Sequence, residues 1–316
     1  MARHNNGQLG LAEALMHPSI GKNAQLERIG ELVDWAAIEQ TLAPLRPSER
    51  GAPYAALTLF KALLLQQWYQ LSDPGLEQAL ADRLSFRRFL GLTLEASTPD
   101  HSTLWRFREA LRQSGLEHAV FAVVQSQLDR RGLIIKRGTL VDATLVQAQG
   151  HPSQPGQDGS DPDAKFTKRG KATHYGYKAH VAVDQDSGLV RRALLTAANV
   201  NDTEMADVLV CGDEQAFYAD AAYDTHARRA MLQARGVTDG ILHRPNKHHP
   251  QLPPDLAQHN KALSRIRARV ETTFAIWKRH YGYWQVRYFS LGRNQTQLTL
   301  LAMASNLRRM AVLTAT

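Results

Sequence analysis

In "GTLVDATLVQAQ", residues 138–149, β-branched and apolar residues crowd together as they do in a strand. The sequence before it, up to about residue 132, reads as helix, and the texture changes at Lys136. One residue does not belong to that strand pattern. Asp142 interrupts an apolar run, and a carboxylate buried there needs a metal, a cation or a hydrogen-bonded niche.

Upstream, "PYAALTLFKALLLQQWYQLS" carries dense apolar residues at helical spacing and stops at Ser72-Asp73-Pro74, where the next helix begins. "GLEQALADRLSFRRFLGL" and "DHSTLWRFREALRQSG" follow, the second capped near Asp100 or Ser102 and closed by Gly115. Short helices joined by small turns suit either a helix-turn-helix DNA reader, with Arg106, Arg108 and Arg112 facing out, or a plain helical bundle.

Downstream, "YGYKAHVAVD" and "GLVRRALLTA" form a hairpin around residues 184–188. A helix at about 202–209, the strand "QAFYA", a helix from Asp224 to Gly236 and the short strand "DGILHR" come next. Strands first, then alternating helix and strand, describe an α/β protein with a mixed sheet flanked by helices. Between the first two strands lies a Gly-, Pro-, Ser- and Asp-rich excursion, about residues 149–173, which reads as a flexible loop too polar to pack. Asp161 and Asp163 belong to it, as do Lys165, Lys168, Arg169 and Lys171, which suit phosphate contacts or a mobile charged surface. The division is therefore a helical N-terminal domain over 1–132 and an α/β domain over 133–316, with residues 298–313 as a closing amphipathic helix.

No apolar run approaches the roughly 18 residues that span a bilayer. The N-terminus lacks the layout of a signal peptide, and a single cysteine, Cys211, suits a reducing cytoplasm. The formal net charge is +8, unevenly placed: beyond Asp224 there are fifteen Lys and Arg against three acids. A one-sided basic half points to a polyanion, with nucleic acid as the default.

The one glutamate after Glu214 is Glu271, in the basic stretch "IRARVETTFAIWKRHYG", residues 266–282. Ile266, Val270, Phe274, Trp277 and Tyr281 make an apolar stripe, and Glu271 lies about 100° from it with Arg267 and Lys278 on its own side. Alone, this is an ordinary Arg267–Glu271 pair worth under about 1 kcal/mol. Asp220, in "FYADAAYD", leaves the sheet directly after a strand, while Asp224 reads as a helix cap. Asp142, Asp220 and Glu271 can converge on one side of the sheet as hard oxygen ligands for Mg²⁺ or Mn²⁺, with Arg267 and Lys278 on phosphate oxygens. His243, His248 and His249 in a Pro-flanked basic loop lack the cysteine partners of a zinc site. Trp284 and Arg287 suit stacking on an unpaired base, with core packing the alternative for Trp284.

"VDATLVQA", "YGYKAHVAVD", "ADAAYD" and "RARVETTFAIWK" resemble bacterial insertion-sequence transposases of the Asp-Asp-Glu class, in the insertion-sequence-five group. "HPSIGKNAQLERIGELVDW" and "LFKALLLQQWYQLSDPGLEQALADRLSFRRFLGL" resemble that group's N-terminal region. The resemblance spans about residues 17–309 and implies a ribonuclease-H-like catalytic domain whose Asp142, Asp220 and Glu271 bind two divalent ions. It implies cleavage of element ends, joining of 3′ hydroxyls to target DNA, terminal inverted repeats as partners and a homodimer on paired ends. No membrane or small-molecule substrate is implied. The wider family's helix motif places a tyrosine three residues before the arginine; here Arg267, Glu271 and Lys278 fit the spacing, but that position is Ser264. A hydroxyl there can still donate one hydrogen bond to the DNA backbone.

Overall fold

A computed structural model of the chain describes residues 19–45, 54–150, 161–245 and 251–315. They fold as two compact units, one of the described residues up to Arg130 together with those from Met303 onward, and one of the described residues between Arg131 and Ala302.

In the first unit the described helices are α1 (Ala24–Leu32), α2 (Trp35–Leu42), α3 (Ala56–Trp68), α4 (Asp73–Asp82), α5 (Leu84–Leu90), α6 (His101–Ser114) and α7 (Leu116–Arg130). Local chemistry starts and stops them. Ser72 caps α4 through Gly75 N–H, Asp100 caps α6 through Thr103 N–H, and Gly115 ends α6 in the left-handed region at φ 67°. The core of the unit is α3, whose Phe60, Leu63, Leu64 and Leu65 are fully buried. Arg108 does not face out as expected. It is buried and pairs with Asp73 at 2.5 Å, because α6 turns that side toward α4.

The second unit is built on a six-stranded sheet of β1 (Thr139–Gln147), β2 (Lys165–Arg169), β3 (Ala172–Asp184), β4 (Val190–Ala197), β5 (Ala216–Ala219) and β6 (Thr238–Ile241). β3 pairs antiparallel with β1, β2 and β4, whereas β5 is parallel to both β1 and β6. Three antiparallel strands followed by two parallel ones, in the order β4-β3-β1-β5-β6, with a helix between β4 and β5, make the ribonuclease-H-like fold. Around the sheet lie α8 (Asp202–Leu209), a 3₁₀ turn (Ala221–Tyr223), α9 (His226–Ala234), α10 (Pro254–Arg267), α11 (Arg269–His280) and α12 (Leu291–Leu313). One face buries Val141, Ala182, Phe217 and Ala219 against Leu209, Tyr223 and Leu232.

Four sequence expectations change here. The polar excursion is not loop throughout: residues 165–169 form β2 and β3 begins at Ala172, so the hairpin turns at Gly170 (φ 60°). Asp161 is buried and accepts hydrogen bonds from the Tyr177 hydroxyl (2.6 Å) and the Ser290 amide (3.1 Å), while Asp163 accepts from Leu291 N–H at 2.8 Å. Both aspartates thus clamp the start of α12. That helix is longer than expected, running from Leu291 to Leu313, and it is largely buried rather than amphipathic. Gln295 accepts from Leu195 N–H (2.7 Å) and donates to the Ala193 carbonyl (3.1 Å), covering the edge of β4. Finally, the single helix expected through residue 266 breaks at Ala268, which separates α10 from α11; Ile266 is only half-buried, and the buried stripe runs Val270, Phe274, Trp277 and Tyr281.

Candidate carboxylate and phosphate site

The parallel pairing of β1 and β5 sets Leu140 beside Tyr218. Two residues further along come Asp142, within β1, and Asp220, just past the end of β5, so the register sets the two carboxylates near one another. Asp142 Oδ1 accepts from the next amide, Ala143 N–H, at 2.9 Å. Its other oxygen accepts from the Arg267 guanidinium at 2.9 Å. Burial raises the Asp142 pKa, and the charge of Asp220 adds to that rise; Ala143 N–H and Arg267 pull the other way. Asp220 itself caps the 3₁₀ turn, accepting from Ala222 N–H at 3.2 Å. Asp224 is not the helix cap: Thr225 caps α9, and Asp224 pairs with Arg229 at 2.8 Å.

Glu271 stands in the first turn of α11, exposed over 63% of its side chain. Arg267 reaches it at 3.4 Å with its other terminal nitrogen, so one guanidinium spans Asp142 and Glu271. Among the described residues no three His, Cys, Asp or Glu side chains stand close enough together to hold a metal ion. The donor set nevertheless fits a hard divalent ion: it is all carboxylate oxygen, and the site already draws in a cation.

What fixes α11 on the sheet is Trp277, fully buried and edge-to-face with Tyr283 at a centroid distance of 6.0 Å. One residue on, the Lys278 ammonium donates to the Thr144 hydroxyl at 2.7 Å. Burial lowers the Lys278 pKa, and the positive charge of Arg169 lowers it further. The tip of the β2–β3 hairpin therefore adds to the same cationic field, and Lys168, Arg169 and Lys171 there are exposed. Thr144 was missed from sequence, although it lies two residues from Asp142 and hence on the same face of β1. Tyr223 was missed as well. Its buried hydroxyl has no hydrogen-bond partner among the described residues, and burial, then the charges of Asp202, Asp142 and Asp220, push its pKa up.

The remaining candidates separate. Trp284 is not a core residue: its indole is 54% exposed, while its carbonyl accepts from Gln147 N–H at the end of β1. Arg287 is half-buried, its amide donating to Gln297. Ser264 is half-buried in the last turns of α10, and its carbonyl accepts from Ala268 N–H. Arg106 and Arg112 belong to the first unit. Arg106 is exposed and hydrogen-bonded to Ser102, and Arg112 pairs with Glu109 at 3.3 Å. His243 contacts Arg229, its backbone is framed by Asn260, and His248 and His249 lie outside the described residues.

The sheet is ribonuclease-H-like, with Asp142 within β1, Asp220 just past the end of β5 and Glu271 on the later helix α11. The chain belongs to the DDE transposase domain family: the Transposase DDE domain model matches residues 135–307, and a second model, Transposase domain (DUF772), matches residues 15–110. Among solved structures, the chain is similar to a piggyBac transposase synaptic complex with hairpin DNA at 12% identity, over 91% of this chain and 76% of that one, with a TM-score of 0.40. It is also similar to a pre-cleavage Mos1 transpososome at 14% identity, over 90% and 98% of the two chains, with a TM-score of 0.21. No helix among the described residues is long and apolar enough to cross a membrane.

Proposed function

We propose that this transposase cleaves the ends of a mobile element of the bacterial insertion-sequence-five type and joins the freed 3′ hydroxyls to target DNA. The reading is supported by Asp142 on the central strand β1, with Asp220 past the end of neighbouring β5 and Glu271 linked to Asp142 through Arg267. These three carboxylates would hold two Mg²⁺ or Mn²⁺ ions, which supply Lewis-acid polarisation of the attacking and leaving oxygens of an in-line phosphodiester displacement. The protein's own groups orient the strand. Lys278 and Arg267 hold phosphate oxygens on either side of the carboxylates, and Arg169 and Lys171 at the hairpin tip extend the cationic track. Trp284 offers an exposed indole for an unpaired base, with Arg287 and the Ser264 hydroxyl beside the backbone. In the helical domain, Arg106 and Arg112 contribute to binding the terminal inverted repeats, and two copies assemble on paired ends.

The test is strand transfer of a labelled, pre-cleaved element end into plasmid DNA with Mg²⁺ or Mn²⁺, with wild type beside Glu271→Gln. Joining by wild type and not by the variant supports the reading and places Glu271 in the site. Cleavage without joining identifies a stand-alone nuclease of the same fold. Equal joining by both proteins reduces Glu271 to a charge partner of Arg267.

A further inference from the structure

Arg267 occupies a position that an ordinary surface ion pair does not. It is the last residue of α10, and Glu271 lies across the Ala268 break in the first turn of α11. Its side chain is 17% exposed, its Nε is buried with no hydrogen-bond partner among the described residues, and its two terminal nitrogens go to different carboxylates. Meanwhile Asp142 has both oxygens engaged, one by the Ala143 amide and one by Arg267. A planar fork with fixed donors suits such bridging, which a lysine ammonium cannot reproduce in the same geometry. Glu271, although exposed, is thus linked to Asp142 through one guanidinium.

We propose that Arg267 is the resident counter-ion of the carboxylate site, and that a divalent ion must displace it from Asp142 Oδ2 in order to bind. This rests on the two-metal reading above and adds an exchange to it. In the free protein one guanidinium neutralises Asp142 and Glu271. On loading, the guanidinium leaves Asp142 and becomes available to a phosphate. The displacement costs metal affinity, so the free protein binds the ion weakly, and DNA favours loading by giving the released arginine a new partner. By reciprocity, metal then tightens DNA binding through that same residue.

The inference is tested by titrating Mn²⁺ into the full chain without DNA and following bound ion by electron paramagnetic resonance or calorimetry. Four proteins are compared: wild type, Arg267→Gln, Arg269→Gln and Asp142→Asn. Arg269 is the charge control, since it is exposed and contacts the Gln185 carbonyl and Asp186 instead. Arg267→Gln is expected to bind Mn²⁺ about tenfold more tightly, the gain from freeing a group held roughly nine-tenths of the time. Arg269→Gln should match wild type, and Asp142→Asn should lose the ion. Equal or weaker binding by Arg267→Gln overturns the exchange, and so does an equal gain in Arg269→Gln, which would reflect net charge alone. Should Arg267→Gln fold poorly, Arg267→Lys keeps the charge but cannot span two carboxylates, and a gain of about threefold is expected; no gain overturns the exchange. Binding untouched by Asp142→Asn, or absent from every protein, overturns the metal reading itself and the exchange with it.

Discussion

His180 makes the second unit acid-sensitive, and the size of the effect follows from its surroundings. It is fully buried in β3, its Nε2 lies 2.9 Å from the Thr196 hydroxyl, and its Nδ1 has no partner among the described residues. Burial pushes its pKa down to about 4 from 6.5; the negative charge of Asp202 resists the fall and the positive charge of Lys178 assists it. A depressed histidine is neutral in both states above pH 6.5, so it costs nothing there. Between pH 6.5 and 4 the unfolded chain takes up a proton that the folded one refuses, and stability falls as pH falls. At about 1.36 kcal/mol per unit, the loss by pH 4.5 is between about 2 and 3 kcal/mol. Urea unfolding of wild type and His180→Phe at pH 7.5 and 4.5, followed by tryptophan fluorescence, isolates it, because carboxylate contributions common to both proteins cancel. Wild type should lose between about 2 and 3 kcal/mol relative to the variant on acidification. A difference between the proteins that is the same at both pH values refutes the reasoning.

Three further outcomes are expected. Asp161→Ala strands the buried Tyr177 hydroxyl and the Ser290 amide, so urea unfolding should show a loss of about 3 kcal/mol, whereas Asp161→Asn, which keeps an acceptor, should lose less. Trp277→Ala opens a cavity under α11 and should lower stability by about 3–5 kcal/mol; a thermal-shift change of under about 2 °C would show that α11 is not anchored there. Lys278→Ala should weaken duplex binding similarly on all sequences and reduce the slope of log K against log salt by about 1, as read by fluorescence anisotropy.

The two aspartates could be read from the sequence because each stands against a strong local background. Asp142 breaks a β-branched run and Asp220 follows the short apolar and aromatic run "AFYA", so strand composition placed both at the sheet. Glu271 could be oriented by helical spacing, yet the break before it was invisible. Ala268 is a residue that helices favour, so propensity gives no sign of the break there. The polar excursion misled for a related reason. "AKFTKRG" has no apolar alternation, but the Tyr175 and Tyr177 hydroxyls, far along the chain, hold Asp161 and with it the approach to β2. In "RNQTQLT", which carries no apolar pattern before Leu298, Asn294, Thr296, Gln297 and Thr299 are buried, and Asn294 and Gln297 bond the backbone of residues 287 and 288. Arg108 carried no local sign of its partner Asp73, since the pairing depends on how α4 meets α6.

The last part of α12 also constrains the order in which the protein can be made. Residues 303–313 belong to the first unit: the Trp68 indole donates to the Ala304 carbonyl at 2.8 Å, and Arg308 donates to the Trp68 carbonyl at 3.1 Å. The helical unit therefore cannot complete its core when its own helices leave the ribosome. It must wait, with Trp68 unpaired, while the whole sheet domain is synthesised. An N-terminal fragment ending at Arg130 would retain that exposed surface permanently, so a copy of the gene truncated after the first unit would yield an aggregation-prone chain rather than a free-standing DNA-binding competitor of the intact enzyme.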